Sequence, residues 1–284
     1  MRIIANCQWL DWNVIIECNY MPMIPFLQYY FQWYTLGDEI TAKNARLQTN
    51  IMIREENGDI VVQCGCRSRR VYYDCNLILG VVAEFCNDDF LEKKKSNWCL
   101  LHGAAISLDG ETAHLFLAPT GMGKSTLAYY ACTHGFQFCS DDLIIMDMET
   151  GYLLPYPKPI YLRNTDFITD CDFIEEAPWY HYRLLFIENV IKYTVFPLNY
   201  IHRPIKPINI HIYERGNTNQ RVKLKETDAF QKLLFSSMLI TDTCRHNHHL
   251  LKLVRQYEVD LIHCHNLNKL IHYLSDTPKG RLYR

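Results

Sequence analysis

Ala118-Pro119-Thr120-Gly121-Met122-Gly123-Lys124-Ser125-Thr126 follows the short apolar run Ala113-His114-Leu115-Phe116-Leu117 and opens a helical pattern. The spacing is that of a phosphate-binding loop (P-loop): a small first residue, four free positions, then Gly-Lys-Ser, with Ala118 where Gly more often stands. Gly121 and Gly123 carry no Cβ and can adopt positive φ, so the backbone can wrap an anion closely and turn its N–H groups inward. A helix beginning near Lys124 adds its N-terminal partial charge, Lys124 can reach β- and γ-phosphates, and the Ser125 hydroxyl is placed to ligate Mg²⁺. The strand-loop-helix context separates this reading from a glycine-containing loop that merely precedes a helix.

Working outward, Leu100 to Leu108 and the strand that feeds the loop are joined by Asp109-Gly110. An Asp-Gly turn between two strand-like runs predicts an antiparallel hairpin directly before the P-loop, where a doubly wound nucleotide fold would place a helix between parallel strands. Downstream, Leu127, Ala128 and Ala131 mark a buried helix face and Gly135 is a natural stop. Phe136-Gln137-Phe138-Cys139 is then a short strand ending at Ser140-Asp141-Asp142. Two adjacent carboxylates at a strand end beside a P-loop can divide the work of phosphoryl transfer, one holding Mg²⁺ and the other accepting a proton from the attacking hydroxyl. A Ser-Asp-Asp surface turn or helix cap is the alternative, and the P-loop upstream favours the first reading.

These residues resemble the HPr kinase/phosphorylase-like P-loop kinases, whose fold is related to that of ATP-dependent phosphoenolpyruvate carboxykinase. The resemblance rests on His102-Gly103 opening the hairpin, Ala118 to Thr126, Gly135-Phe136 and Ser140-Asp141-Asp142, and it covers about residues 98 to 165. It implies that Lys124 holds the transferring phosphate, that Ser125 and Asp142 ligate Mg²⁺, and that Asp141 is the general base for a serine hydroxyl. It also implies that His102 stands near Asp141 and helps set its proton affinity; read without it, His102 fits equally a core histidine hydrogen-bonded in a strand. Tyr156-Pro157-Lys158-Pro159 resembles the Pro-Lys-Pro stretch of less-studied relatives. Its prolines fix an extended backbone from which Lys158 and Arg163 can be aimed at a phosphate or an acidic peptide. The Glu-x-Arg-Gly-type motif of authentic HPr kinases is absent, and residues 1–95 do not resemble their N-terminal domain. The chain is closer in this respect to the peptide-tailoring kinases of lasso-peptide-type gene clusters, which phosphorylate a precursor-peptide serine.

The 284 residues, 49% of them apolar, suffice for one large domain or two smaller ones. Residues 1–95 read as a small β-rich N-terminal lobe, with Val14-Ile15-Ile16 and Ile51-Met52-Ile53 as β-branched runs and Asn57-Gly58-Asp59 as a hairpin turn before Ile60-Val61-Val62. Phe26 to Tyr34 is an aromatic segment that suits ordinary core packing better than a peptide-docking surface. Leu77, Val81, Val82 and Phe85 recur with helical spacing, and Glu92 to Asn97 reads as a solvated connector that closes the lobe. Residues 96–284 form the expected catalytic domain. It is completed by a strand over Ile208 to Tyr213, a turn at Glu214 to Asn217, a helix from Thr227, a strand over Val259 to Ile262 and a helix holding Leu267, Leu270, Ile271 and Leu274. Arg203 and Arg215 suit surface charge better than a role in neutralising transferred phosphate.

A net charge of −2 gives no electrostatic argument for nucleic acid or an acidic membrane. The 12 cysteines and an N-terminus interrupted by Asp11 before any signal-type apolar region point to reduced thiols in the cytoplasm, and no apolar stretch reaches membrane-spanning length. Cys64-Gly65-Cys66, His246-Asn247-His248-His249 and His263-Cys264-His265 lack the paired spacing of a zinc site. The sequence thus points to an α/β protein, a P-loop kinase domain of the HPr kinase/phosphoenolpyruvate carboxykinase-like type with a smaller N-terminal lobe. It would bind ATP and Mg²⁺ and phosphorylate a serine of a peptide or small protein, with self-association left open. A small-molecule hydroxyl kinase and a nucleotide-regulated binding module without transferase activity are the alternatives.

Overall fold

The computed structural model describes residues 1–36, 45–162, 182–185, 191–197, 199–238 and 243–276. The chain divides into two compact units, Met1–Ser96 with Tyr161–Phe196, and Asn97–Ile160 with Pro197–Arg284. Sequence reading assigns residues 161–196 to the C-terminal domain, whereas the structure groups them with the first unit, and described residues at both ends of the segment make aromatic contacts there. Phe196 lies edge-on to Tyr29 and Trp33, each with ring centroids 4.9 Å away, and the Tyr161 and Tyr30 hydroxyls are 3.4 Å apart.

In the first unit, β1 (Arg2–Cys7), β2 (Trp12–Cys18), the short helix α1 (Ile24–Tyr30), β3 (Thr35–Leu36), β4 (Leu47–Glu56), β5 (Asp59–Cys64) and β6 (Arg67–Val71) precede the long helix α2 (Cys75–Lys93). The strands form one sheet in the order β3-β1-β2-β4-β5-β6. Along β4 the period of two is plain: Leu47, Thr49, Ile51 and Ile53 are buried, while Asn50 and Met52 are exposed. Asn57 and Gly58 both have positive φ, 52° and 85°, the geometry of a two-residue hairpin turn whose twist matches its strands. The aromatic segment is core: Tyr30, Phe31, Trp33 and Tyr34 are buried. Helix α2 is capped by the Asp74 carboxylate, which accepts hydrogen bonds from the backbone N–H groups of Asn76 (2.8 Å) and Leu77 (3.4 Å).

The second unit begins with β7 (Trp98–Leu101), β8 (Gly103–Ser107), β9 (Thr112–Leu117), helix α3 (Lys124–Thr133), β10 (Gln137–Ser140), β11 (Ile144–Asp147) and β12 (Leu153–Leu154). Three short strands, β13 (Ile160–Leu162), β14 (Tyr182–Leu185) and β15 (Ile191–Val195), form a separate sheet in the order β13-β15-β14. The unit resumes with β16 (Lys206–Arg215), β17 (Gln220–Lys223), α4 (Glu226–Phe235), α5 (Thr243–Gln256), β18 (Glu258–Cys264) and α6 (Leu267–Asp276). Its central sheet has the order β10-β8-β9-β16-β18-β17, and β12-β11-β7 form a second layer. β8 and β9 are the expected antiparallel hairpin. The turn between them is held by Asp109, whose Oδ1 accepts from the N–H groups of Glu111 and Thr112. β16 lies parallel to both β9 and β18, so the sheet is mixed. Among the described residues, no helix is long and apolar enough to cross a membrane.

This strand order decides where the chemistry sits. β9 and β10 are both antiparallel to β8, so their C-terminal ends and the N-terminal end of β8 emerge at one edge of the sheet. Close packing there depends on Gly103. A Cβ at that position would lie 2.6 Å from Ile144 Cδ1 and 2.7 Å from the Phe116 carbonyl oxygen, and backbone cannot yield as a side chain can. Gly103→Ala is therefore expected to destabilise the second unit by about 2–3 kcal/mol. The urea midpoint measured against the natural protein checks this, and an unchanged midpoint would contradict the close approach.

Candidate functional site

The site is assembled from three chain segments at that shared edge. β9 is buried from Ala113 to Leu117 and delivers Ala118, also buried, into a loop whose Pro119, Thr120, Gly121 and Met122 are exposed. Gly121 and Gly123 have φ of 86° and 91°, the left-handed conformation expected of them, and Gly123 is the cap from which α3 starts at Lys124. Thr126, in the first turn, is half-buried. Lys124 is only 5% exposed, and its ammonium donates to the carbonyl oxygens of Ala118 (2.7 Å) and Pro119 (3.1 Å), so the side chain is folded back over its own loop. Burial lowers its pKa, and the Asp142 and Asp141 charges oppose that shift.

The second segment is the end of β10. Asp141 is fully buried, and its Oδ1 accepts from the Ser125 hydroxyl at 3.1 Å. Its Oδ2 is buried without a hydrogen-bond partner. Burial, reinforced by the neighbouring Asp142 charge, pushes the Asp141 carboxyl up to about 7. Asp142 differs in every respect. It has a φ of 65°, its side chain is 38% exposed, and its Oδ2 accepts from the Lys158 ammonium at 2.8 Å, which holds its carboxyl well below the usual range. The two carboxylates are thus pushed apart in proton affinity by their surroundings, the arrangement in which one group can carry a proton while the other stays ionised.

The third segment is the start of β8. His102 Nδ1 lies 3.0 Å from the Asp142 carbonyl oxygen; a carbonyl only accepts, so Nδ1 carries the proton and donates. Nε2 is then free to accept from the Thr120 hydroxyl, 3.4 Å away in the loop. His102 therefore ties the P-loop to the main chain of Asp142, whereas the family resemblance set it beside Asp141. Burial, then the Lys124 charge, lowers its pKa and favours the neutral ring this bonding needs.

Lys158, expected from the sequence to face a phosphate or an acidic peptide, is instead paired with Asp142. Its segment is fastened by Tyr156, whose N–H donates to Ser140 Oγ at 2.8 Å. Arg163 lies outside the described residues. Arg203 is remote from the loop, since it binds the Gly110 carbonyl and the Glu111 carboxylate at the opposite end of β9. Arg215 ends β16, beyond Ile212, which pairs with Leu117 beside the loop, and it is exposed. Behind the site a polar chain that sequence reading does not foresee crosses the sheet. His114 and His211 meet at 3.0 Å, His211 faces Asp260 at 3.6 Å, and Asp260 binds Arg221. Burial lowers the pKa of both histidines, that of His114 to about 3, so this is a neutral pair inside the core.

The donor set suits a small hard cation. Ser125 Oγ, the orphaned Asp141 Oδ2 and the Asp142 carboxylate are all oxygen ligands of the kind Mg²⁺ takes. No protein-family model matches the chain, and no curated protein matches it. Among solved structures, the HPr(Ser) kinase/phosphatase from Coxiella burnetii is similar at 16% identity and a TM-score of 0.30, over 62% of this chain and 93% of that one. A likeness at that level decides no activity, and the site speaks through its own residues.

Proposed function

We propose that the protein is an ATP-dependent kinase that transfers the γ-phosphoryl group to a serine hydroxyl of a peptide or small protein. The observation that carries this reading is the convergence, at one sheet edge, of a P-loop with Lys124 and Ser125 and of two adjacent carboxylates with opposed proton affinities. In this reading the loop N–H groups of Gly121 to Lys124 and the Lys124 ammonium bind the phosphates. Ser125 and Asp142 hold Mg²⁺, which when bound neutralises phosphate charge. Asp141, with its raised proton affinity, accepts the proton of the attacking hydroxyl, and His102 positions Asp142 through its carbonyl. The Lys124 ammonium gives two of its three N–H groups to the Ala118 and Pro119 carbonyls, which leaves one for a phosphate. A precursor peptide made on the ribosome is the acceptor class suggested by the family resemblance.

The Ser125–Asp141 bond favours a second assignment of roles, in which Asp141 holds the metal and the half-exposed Asp142 takes the proton. The experiment for the function as a whole is intact-mass spectrometry of candidate peptides, and of free serine as a small-molecule control, incubated with the protein, ATP and Mg²⁺. A gain of one phosphate on a peptide serine supports the proposal. Phosphate on free serine alone would make the protein a small-molecule kinase, and ATP binding without any transfer would leave a nucleotide-regulated module.

A further inference from the structure

We propose that in the nucleotide-free protein the Lys158 ammonium occupies the place on the Asp142 carboxylate that a divalent cation takes, so that Lys158 and the cation compete for one side chain. The inference rests on the kinase reading above, in which Asp142 is a metal ligand. Lys158 Nζ is 2.8 Å from Asp142 Oδ2, with the lysine side chain 19% exposed and the aspartate side chain 38% exposed, so the pair is partly shielded from solvent on the lysine side. Pro157 and Pro159 restrict the backbone on either side of Lys158. The Lys158 N–H donates to the Tyr156 carbonyl, and the Tyr156 N–H donates to Ser140 Oγ, each at 2.8 Å. The lysine is thereby tethered to the residue two before the carboxylate it binds, and little chain entropy opposes the pairing.

The other cation of the site does not take this place, because the Lys124 ammonium is turned onto the Ala118 and Pro119 carbonyls. An ammonium and a dication on one carboxylate repel each other, and the Lys158 ammonium already takes up part of the Asp142 charge that would hold Mg²⁺, so each cation weakens the binding of the other. Cation entry is therefore opposed by Lys158. The nucleotide-free site holds metal weakly, and metal arrives most readily with nucleotide, whose phosphates supply the remaining ligands. Lys158 is in this sense a positioning residue that holds the Asp142 side chain in place until then.

The test is titration of the nucleotide-free, full-length protein with Mn²⁺ alone, followed by water-proton relaxation. Lys158→Ala is expected to bind Mn²⁺ about tenfold more tightly than the natural protein, because the competing charge is gone. Lys158→Arg, which keeps the charge, is expected to retain the weak natural affinity, and Asp142→Asn to lose binding. Thermal melts of each variant establish that it is folded. Equal Mn²⁺ affinity in Lys158→Ala and the natural protein, or Lys158→Arg binding as tightly as Lys158→Ala, overturns the proposal, as does the absence of measurable Mn²⁺ binding in both the natural protein and Lys158→Ala. The titration uses neither ATP nor acceptor, so its failure leaves phosphate transfer to be judged by mass spectrometry, and failure of transfer leaves the titration intact.

Discussion

Asp141→Asn is expected to abolish most phosphoryl transfer, lowering the rate about a thousandfold, the loss typical of a removed general base, while ATP still binds. The substitution keeps the shape of the side chain and an oxygen that can accept from Ser125, so the loop stays in place while the carboxylate that accepts the proton is lost. The same change is expected to stabilise the nucleotide-free protein in a pH-dependent way. Burial raises the Asp141 carboxyl to about 7, above its value in the unfolded chain. A group shifted in that direction contributes stability that is fully present below the unfolded pKa and is lost as pH rises through the folded one. The natural protein therefore loses stability between about pH 4 and about pH 7. The Asp141→Asn variant escapes that loss, gaining roughly 2–4 kcal/mol above pH 7 and nothing near pH 4. Chemical denaturation of both proteins at about pH 4.5 and about pH 8, close to the two ends of that window, reads this directly. A variant no more stable at the higher pH would mean that Asp141 is ionised without penalty and is not poised as a base.

Lys124→Ala is expected to weaken ATP binding by about two orders of magnitude and to reduce transfer by at least as much, because a charge held for phosphate disappears from a largely water-excluded position. The lysine is 5% exposed and donates to the carbonyls of buried Ala118 and exposed Pro119, so its removal also costs some fold stability, which is measured separately from binding. Titration with a fluorescent ATP analogue, alongside a melt without nucleotide, separates the two effects. Lys124→Arg should not rescue, since a planar fork needs a different cradle from a point charge. If Lys124→Ala bound ATP as the natural protein does, the loop would not be a phosphate site.

The features legible in the sequence are those whose cause is local. A positive φ at Gly121 and Gly123, the Asn57-Gly58 and Asp109-Gly110 turns and the end of α3 before Gly135 all follow from what two or three neighbouring residues permit. The hairpin before the P-loop and the carboxylate pair at the end of β10 are readable for the same reason. Helix α5 escapes a sequence reading because its first turns are rich in histidine and polar residues, one of which, His246, is itself buried, and its large apolar residues begin only at Leu250. The His114, His211 and Asp260 chain escapes it because polar residues on strands are read as outward-facing unless a partner is known, and their partners lie on other strands.

What the sequence by itself determined is the chemistry available: a loop that can wrap phosphate, a lysine and a serine at a helix start, and two carboxylates in a row. Tertiary structure decided how these groups divide the work. Strand order put the ends of β9 and β10 and the start of β8 at one edge, and so brought His102 to the Asp142 carbonyl rather than to the Asp141 carboxylate. It also buried Asp141 while leaving Asp142 half-exposed and paired with a lysine sixteen positions along the chain. Adjacent residues of one type are chemically equal in a sequence. Burial and a neighbouring charge, both products of long-range packing, are what raise the proton affinity of one and lower that of the other.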